Sequence, residues 1–365
     1  MKKIVVLSCL LGFIFSCKKE EIKSPPTKVS SVEFERSSLL KSITNDIILK
    51  DVESFNLKAD AFNQKINILN SISTREDLKV TEGLLDSLLI QFSRIEMFNV
   101  GPIKDNYFFT LINPYPTDTV SINELIYDTS IQLEESNFAS YKLTVKGIPA
   151  LEYLIYKRKD SIVSSVNAGR WLSFLKLVSS DIAKRANKVE STWIYDGYSE
   201  VFSNNIGNEF NDPIPQLINS IVAILDNIYF QELGVPSGSL GSVQPKKCRA
   251  LYSELSLNSI ENQIVIIEKI MKGTADNSSI GLQEYLDFLE SKNVQDPLVA
   301  SMILETISEI RNEIPKDKSL YQIVTSNSKE IEELRGKVKE LLILFKNDVA
   351  SLMSITVSIS DNDGD

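Results

Sequence analysis

Four stretches of this chain repeat large apolar residues at steps of three and four, the period that lays side chains along one face of a helix. Phe55, Ala59, Phe62, Ile66 and Leu69 make the first stripe, and Thr81, Leu85, Leu88, Phe92 and Ile95 the second. Trp171, Leu175, Val178, Ile182, Ala186, Val189 and Trp193 form a third, and Ile331, Leu334, Val338, Leu341, Phe345, Val349 and Leu352 a fourth. Such stripes are buried only by packing on one another, so the expected fold is all-α, built from packed bundles. Shorter helices are expected over 148–158, 212–233, 257–272, 280–290 and 296–313. Ser73-Thr74-Arg75-Glu76 reads as a capping box ahead of the second stripe. Strand signals are few: residues 107–112, and the alternation of Ile355, Val357 and Ile359. Gly and Pro cluster at 99–120 and 234–256; Pro236, Gly238, Gly241 and Pro245 mark a division of the chain near 210–250.

The N-terminus carries a different signal. Lys2 and Lys3 precede an apolar run from Ile4 to Phe15 that is too short for an ordinary membrane-spanning helix, and Ser16-Cys17 closes it. Ile14-Phe15-Ser16-Cys17 resembles a bacterial lipobox. Residues 1–16 are therefore expected to leave as a lipoprotein signal peptide, with lipid added to Cys17. Residues 17–33, with Pro25-Pro26, then read as a lipidated cysteine and flexible tether ahead of a helical domain over 34–365. The expected place is the bacterial cell envelope, as an outer-membrane lipoprotein held through its acyl chains. Lys19-Glu20-Glu21 resembles the short signal by which some Gram-negative lineages send lipoproteins to the cell surface, and fits a solvated tether equally. Periplasmic and surface faces both stay open.

Absences narrow the chemistry. The 365 residues contain no histidine, which removes His-assisted nucleophiles, H-E-x-x-H zinc sites and imidazole-held haem. Loss of Cys9 with the signal and lipid on Cys17 leave Cys248 alone, so no intramolecular disulfide is expected. Cys248, between Lys247 and Arg249, is either an activated thiol or an incidental loop cysteine. A net charge of −10 without a basic cluster argues against nucleic acid as a partner. Gly-rich phosphate loops are also missing, so a metal would be held by oxygen, which suits iron or another hard cation. Asp361, Asp363 and Asp365 around Gly364 look like the start of a calcium loop, but the chain stops before further ligands, so an acidic tail is expected.

Several landmarks resemble the imelysin-like proteins. They are Asn45–Phe55, Arg94-Ile-Glu96 running to Gly101-Pro102 and Asp105, Ile112–Glu124, Leu233–Pro236, Tyr252–Ser256, Gly281–Leu286 and the closing Ser360–Asp365, in consistent order over residues 36–365. Resemblance implies two packed helical-bundle halves, an envelope location, a link to iron uptake, and a site between the halves at G-x-H-x-x-E. Here that stretch is Gly147-Ile148-Pro149-Ala150-Leu151-Glu152, with proline where histidine would stand; Asn99 replaces a frequent arginine. A His–Glu pair on one helix face cannot exist here, and Pro149 suits a helix's first turn instead.

Glu152 lies among Ile148, Leu151, Leu154 and Ile155, where an unpaired carboxylate is expensive. It either complements the helix start or a nearby Arg or Lys, or survives as half of a ligand or metal site. In the second case Gly147 and the matched landmarks Glu96, Asp105, Tyr252, Ser253 and Ser256 are the candidates to assist. Three functions follow: a non-enzymatic, lipid-anchored binding protein serving iron acquisition, a metal-dependent peptidase or hydrolase with a carboxylate-only site, or an interaction scaffold for another envelope protein with a vestigial site. No catalytic residue is assigned, because nothing here activates a water through a conventional zinc site.

Overall fold

The apolar stripes become long helices. In a computed structural model, residues 34–358 are described except 71–72, 165–166, 275–278 and 293–297. The expected leader, Cys17 and the tether lie outside the described residues, as do Ile359 and the acidic tail. Helix α1 covers residues 36–68, with a wider π-type turn at Ile43–Ile48. α2 is Arg75–Ile95, α3 spans residues 147–157, and α4 is Ala168–Ile194. Of the C-terminal helices, α5 spans residues 213–234, α6 is Ser256–Lys272, α7 is Leu282–Ser291, α8 is Val299–Glu313 and α9 spans residues 332–353.

Every residue of the first three stripes is buried, and so is the fourth except Leu352. α4 and α2 both pack on α1, and α3 packs on α4. In the second bundle α9 packs on α5 and α8, while α7 covers α8. α6 joins the two bundles by lying against both α2 and α8. A buried ion pair fixes α1 on α2: Arg94 donates Nε to Asp51 Oδ1 at 2.6 Å and Nη2 to Oδ2 at 3.1 Å. Glu35–Asp365 groups as one compact unit.

The structure corrects three local expectations. The α2 cap is shifted by one residue: Thr74 accepts from Asp77 N–H at 3.2 Å, and the Asp77 carboxylate accepts from Thr74 N–H at 3.0 Å. The pair is equivalent chemistry, because Asp reaches back to the cap as Glu would. Residues 107–112 are not a strand; Phe108–Ile112 is a short helix that buries Phe109 and Ile112, three apart. Tyr107, at φ 56, bends the chain into it. Residues 355–358 are neither helix nor strand, and the Asn219 side chain meets their backbone instead. Asn219 donates Nδ2–H to Thr356 O at 3.0 Å and its Oδ1 accepts Ser358 N–H at 2.7 Å. Among the described residues no strand occurs.

Candidate functional site

Gly147 opens α3 in a conformation reserved for glycine. Its φ is +79°, and a Cβ there would sit 2.2 Å from Pro114 Cδ and 2.6 Å from Ile112 O. Pro149 falls in the first turn, where its missing N–H costs nothing. The turn carries Glu152 inward, to 4% exposure, just ahead of the π-type turn Tyr153–Lys157. Neither the start of its own helix nor a basic side chain meets it. Instead, Oε1 accepts Tyr252 N–H and Ser253 N–H, both at 2.7 Å, and Ser253 Oγ–H at 2.8 Å. Burial pushes the Glu152 carboxyl up from its ordinary value, and these donors oppose that push. The Tyr252 ring packs on Tyr153, 5.6 Å between centroids.

The donors belong to a loop over residues 248–255, which turns through positive φ at Ala250 (50°) and Glu254 (62°). Its other end delivers Arg249 between two carboxylates. Arg249 donates Nη2–H to Glu96 Oε2 at 2.7 Å and Nη1–H to Glu232 Oε1 at 2.8 Å. Gln263 Nε2–H is shared between the same two oxygens at 3.1 and 3.3 Å, and Asn227 donates to Glu232 Oε1 at 2.7 Å. Ser256 closes the loop by donating its hydroxyl to Arg249 O. Glu232 lies on a second π-type turn, Ile228–Gly234, a helix defect often found at functional positions. Burial opposes the Arg249 charge, but Glu96 and Glu232 outweigh it and raise its pKa. Burial, with the like charge of Glu232, pushes the Glu96 carboxyl up against the pull of Arg249.

Two carboxylates share one guanidinium, and among the described residues Glu232 Oε2 and Gln263 Oε1 are buried without a hydrogen-bond partner. Glu96, Glu232, Arg249 and Lys247 line a cavity of about 630 Å³ together with Asn99, Asn113 and Tyr115. Tyr115 donates its hydroxyl to Cys248 O at 3.2 Å. Cys248 itself is buried and its thiol is pushed up to about 12, the opposite of activation.

Of the sequence candidates, Glu152, Tyr252 and Ser253 meet directly, and Glu96 and Ser256 share Arg249. Asp105 stands elsewhere, exposed on a cavity of about 500 Å³ lined also by Lys104, Gln216 and Lys346. Arg249, Glu232, Gln263 and Asn227 were missed; the only sequence signals were a glutamate beside Leu233 and a glutamine inside the apolar face of α6.

The residues at Glu152 do not suit a metal ion. Pro149 offers no ligand atom, and three donor hydrogens occupy one of the two Glu152 oxygens, so the stretch supplies fewer oxygen ligands than a hard cation takes. Among the described residues no group of three or more Cys, Asp or Glu side chains could hold a metal ion.

The family model described as Imelysin, carrying a peptidase family name, matches residues 50–340. The chain belongs to the imelysin family. An imelysin-like protein from Psychrobacter arcticum 273-4 superposes with a TM-score of 0.71 at 17% identity, covering 91% of this chain and 100% of that one. A candidate iron-regulated protein A precursor from Parabacteroides distasonis ATCC 8503 superposes at 0.73 with 15% identity, covering 87% of this chain and 94% of its own. No curated protein matches. These likenesses establish the imelysin fold, all-α with many packed helices. In this imelysin-family chain the motif glutamate is retained, but as the anchor of a loop.

Proposed function

We propose that this imelysin-family chain is a lipid-anchored binding protein of the bacterial cell envelope, held through Cys17, that serves iron acquisition without catalysing a reaction. The ligand is recognised by charge and hydrogen bonds in the cavity walled by Glu96, Arg249 and Glu232, not as a bare ion at Glu152. One observation carries this reading. Glu152 already has three donors on one oxygen, whereas the neighbouring cluster keeps a buried acceptor, Glu232 Oε2, without a partner among the described residues. A ligand that brings hydrogen-bond donors answers that lack. The leader and lipobox-like residues support the anchor, and the likeness to a candidate iron-regulated protein supports the link to iron.

The test is native mass spectrometry and metal analysis of the chain isolated from its own envelope. An organic ligand should co-purify, persist in Glu152→Gln and be lost from Glu232→Gln. Stoichiometric metal lost from Glu152→Ala, or chelator-sensitive peptidase activity lost from Glu152→Gln, would establish the hydrolase reading instead. No ligand, with another envelope protein in its place, would favour a scaffold.

A further inference from the structure

A further cavity, of about 740 Å³, lies along α4 and the segment that precedes α3, and its charged lining is mostly basic. Its charged lining is Lys146, Lys176, Lys184 and Arg185 against Glu135 and Asp181. Two pairs cancel: Lys184 is paired with Glu135, and Arg185 donates to Asp181 at 2.7 Å. Among the described residues the remaining cations, Lys146 and Lys176, have no carboxylate partner. Lys176 donates only to the Asn67 carbonyl, at 3.1 Å.

Lys146 is the more telling. It is 6% exposed, yet its ammonium has one hydrogen bond, to the Ala139 carbonyl at 3.1 Å, and the face of Phe138, 4.9 Å from the ring centre. An ammonium carries three N–H donors, so two remain for something in the cavity. A buried charge normally has a counter-ion, because removing it from water is costly. Burial pushes the Lys146 pKa down, and Asp181, the carboxylate that favours its charge, is committed to Arg185. Leu111, Leu133, Phe138, Leu143 and Leu177, with Tyr141, supply an apolar wall beside these charges.

We propose that this groove is a second binding site, for a small organic anion. A carboxylate or phosphate group would accept from Lys146 and Lys176, and an apolar body about the size of one ring would lie on Phe138 and the leucines. The site shares Leu143 with the cavity at Arg249 but none of its charged residues, and it stands independently of the function proposed there.

Calorimetric titration of residues 18–365 with phenyl phosphate, phenylacetate, inorganic phosphate and benzylamine tests this. At least one aromatic anion should bind saturably, more tightly than inorganic phosphate, and its affinity should fall with added salt. Benzylamine, of the same shape and opposite charge, should not bind. Lys146→Met should weaken the anion about tenfold or more, and Lys146→Arg should retain it. Lys104→Ala, on the cavity that holds Asp105, should change nothing. Because Lys146→Met could loosen Phe138, its melting temperature is measured alongside. If that variant does not fold, half-buried Lys176→Ala decides, with an expected loss of about threefold or more. Absence of saturable anion binding, equal binding of benzylamine or of inorganic phosphate, or a folded Lys146→Met that binds as wild type would each overturn the proposal.

Discussion

Two buried carboxylate positions are held by one loop, and they are held differently. At Glu152, uncharged donors of Tyr252 and Ser253 converge on a single oxygen. Six residues or fewer away along the same loop, Arg249 bridges Glu96 and Glu232, which leaves acceptors without donors. The first arrangement fills one carboxylate oxygen with donors and organises backbone. The second retains buried acceptors that further ligand groups can meet. A glutamate in a family motif therefore does not mark where binding occurs; the unsatisfied neighbour is the better guide.

Removing the bridge should have the largest effect. Arg249→Met leaves two carboxylates buried side by side, and urea denaturation of residues 18–365 should show a loss of about 3–5 kcal/mol. A wild-type midpoint would mean that the pair is hydrated and the contrast with Glu152 is false. Next in size, Glu152→Ala strands the loop donors and should cost about 2–3 kcal/mol, whereas Glu152→Gln keeps an acceptor and should cost about 1 kcal/mol. Equal losses from the two variants would show that charge, not hydrogen bonding, is what the loop needs.

The pH dependence tests what the two positions share, since burial pushes both Glu96 and Glu152 up. A carboxyl raised by folding binds its proton more tightly in the folded chain, so its contribution to stability is greatest at or below the ordinary glutamate range and declines as pH rises through the raised value. Glu96→Gln should flatten that decline in chemical denaturation measured over the acid range. Asp77 has the opposite sign: the Thr74 N–H holds it down to about 2, so its contribution is present above the ordinary range and lost as pH falls through that value. The smallest effect is kinetic. In residues 18–365, where Cys248 is the only cysteine, alkylation should be slow and should quicken in Glu152→Ala, which frees the loop. Unchanged labelling would show that Arg249 alone holds the loop closed.

Much of the fold was legible in single residues. The stripe from Trp171 to Trp193 faces the core throughout α4, since helical period alone sets which side chains share a face. Gly147 and Pro149 gave the start of α3, because each is restricted by its own backbone. Residues 107–112 misled, since short apolar runs fit a strand or a helix equally and the bend at Tyr107 left no sequence mark.

The sequence by itself determined that the chain is helical, where its long helices run, and that imidazole chemistry is absent. The tertiary structure alone decided the partner of Glu152 and the place of Arg249. Periodicity and turn chemistry are local, acting over a few residues. The donors on Glu152 lie about 100 residues away in the chain, and Glu96 and Arg249 are 153 apart. Only the packing of α2, α3, α5 and α6 around one loop brings such groups within hydrogen-bond distance.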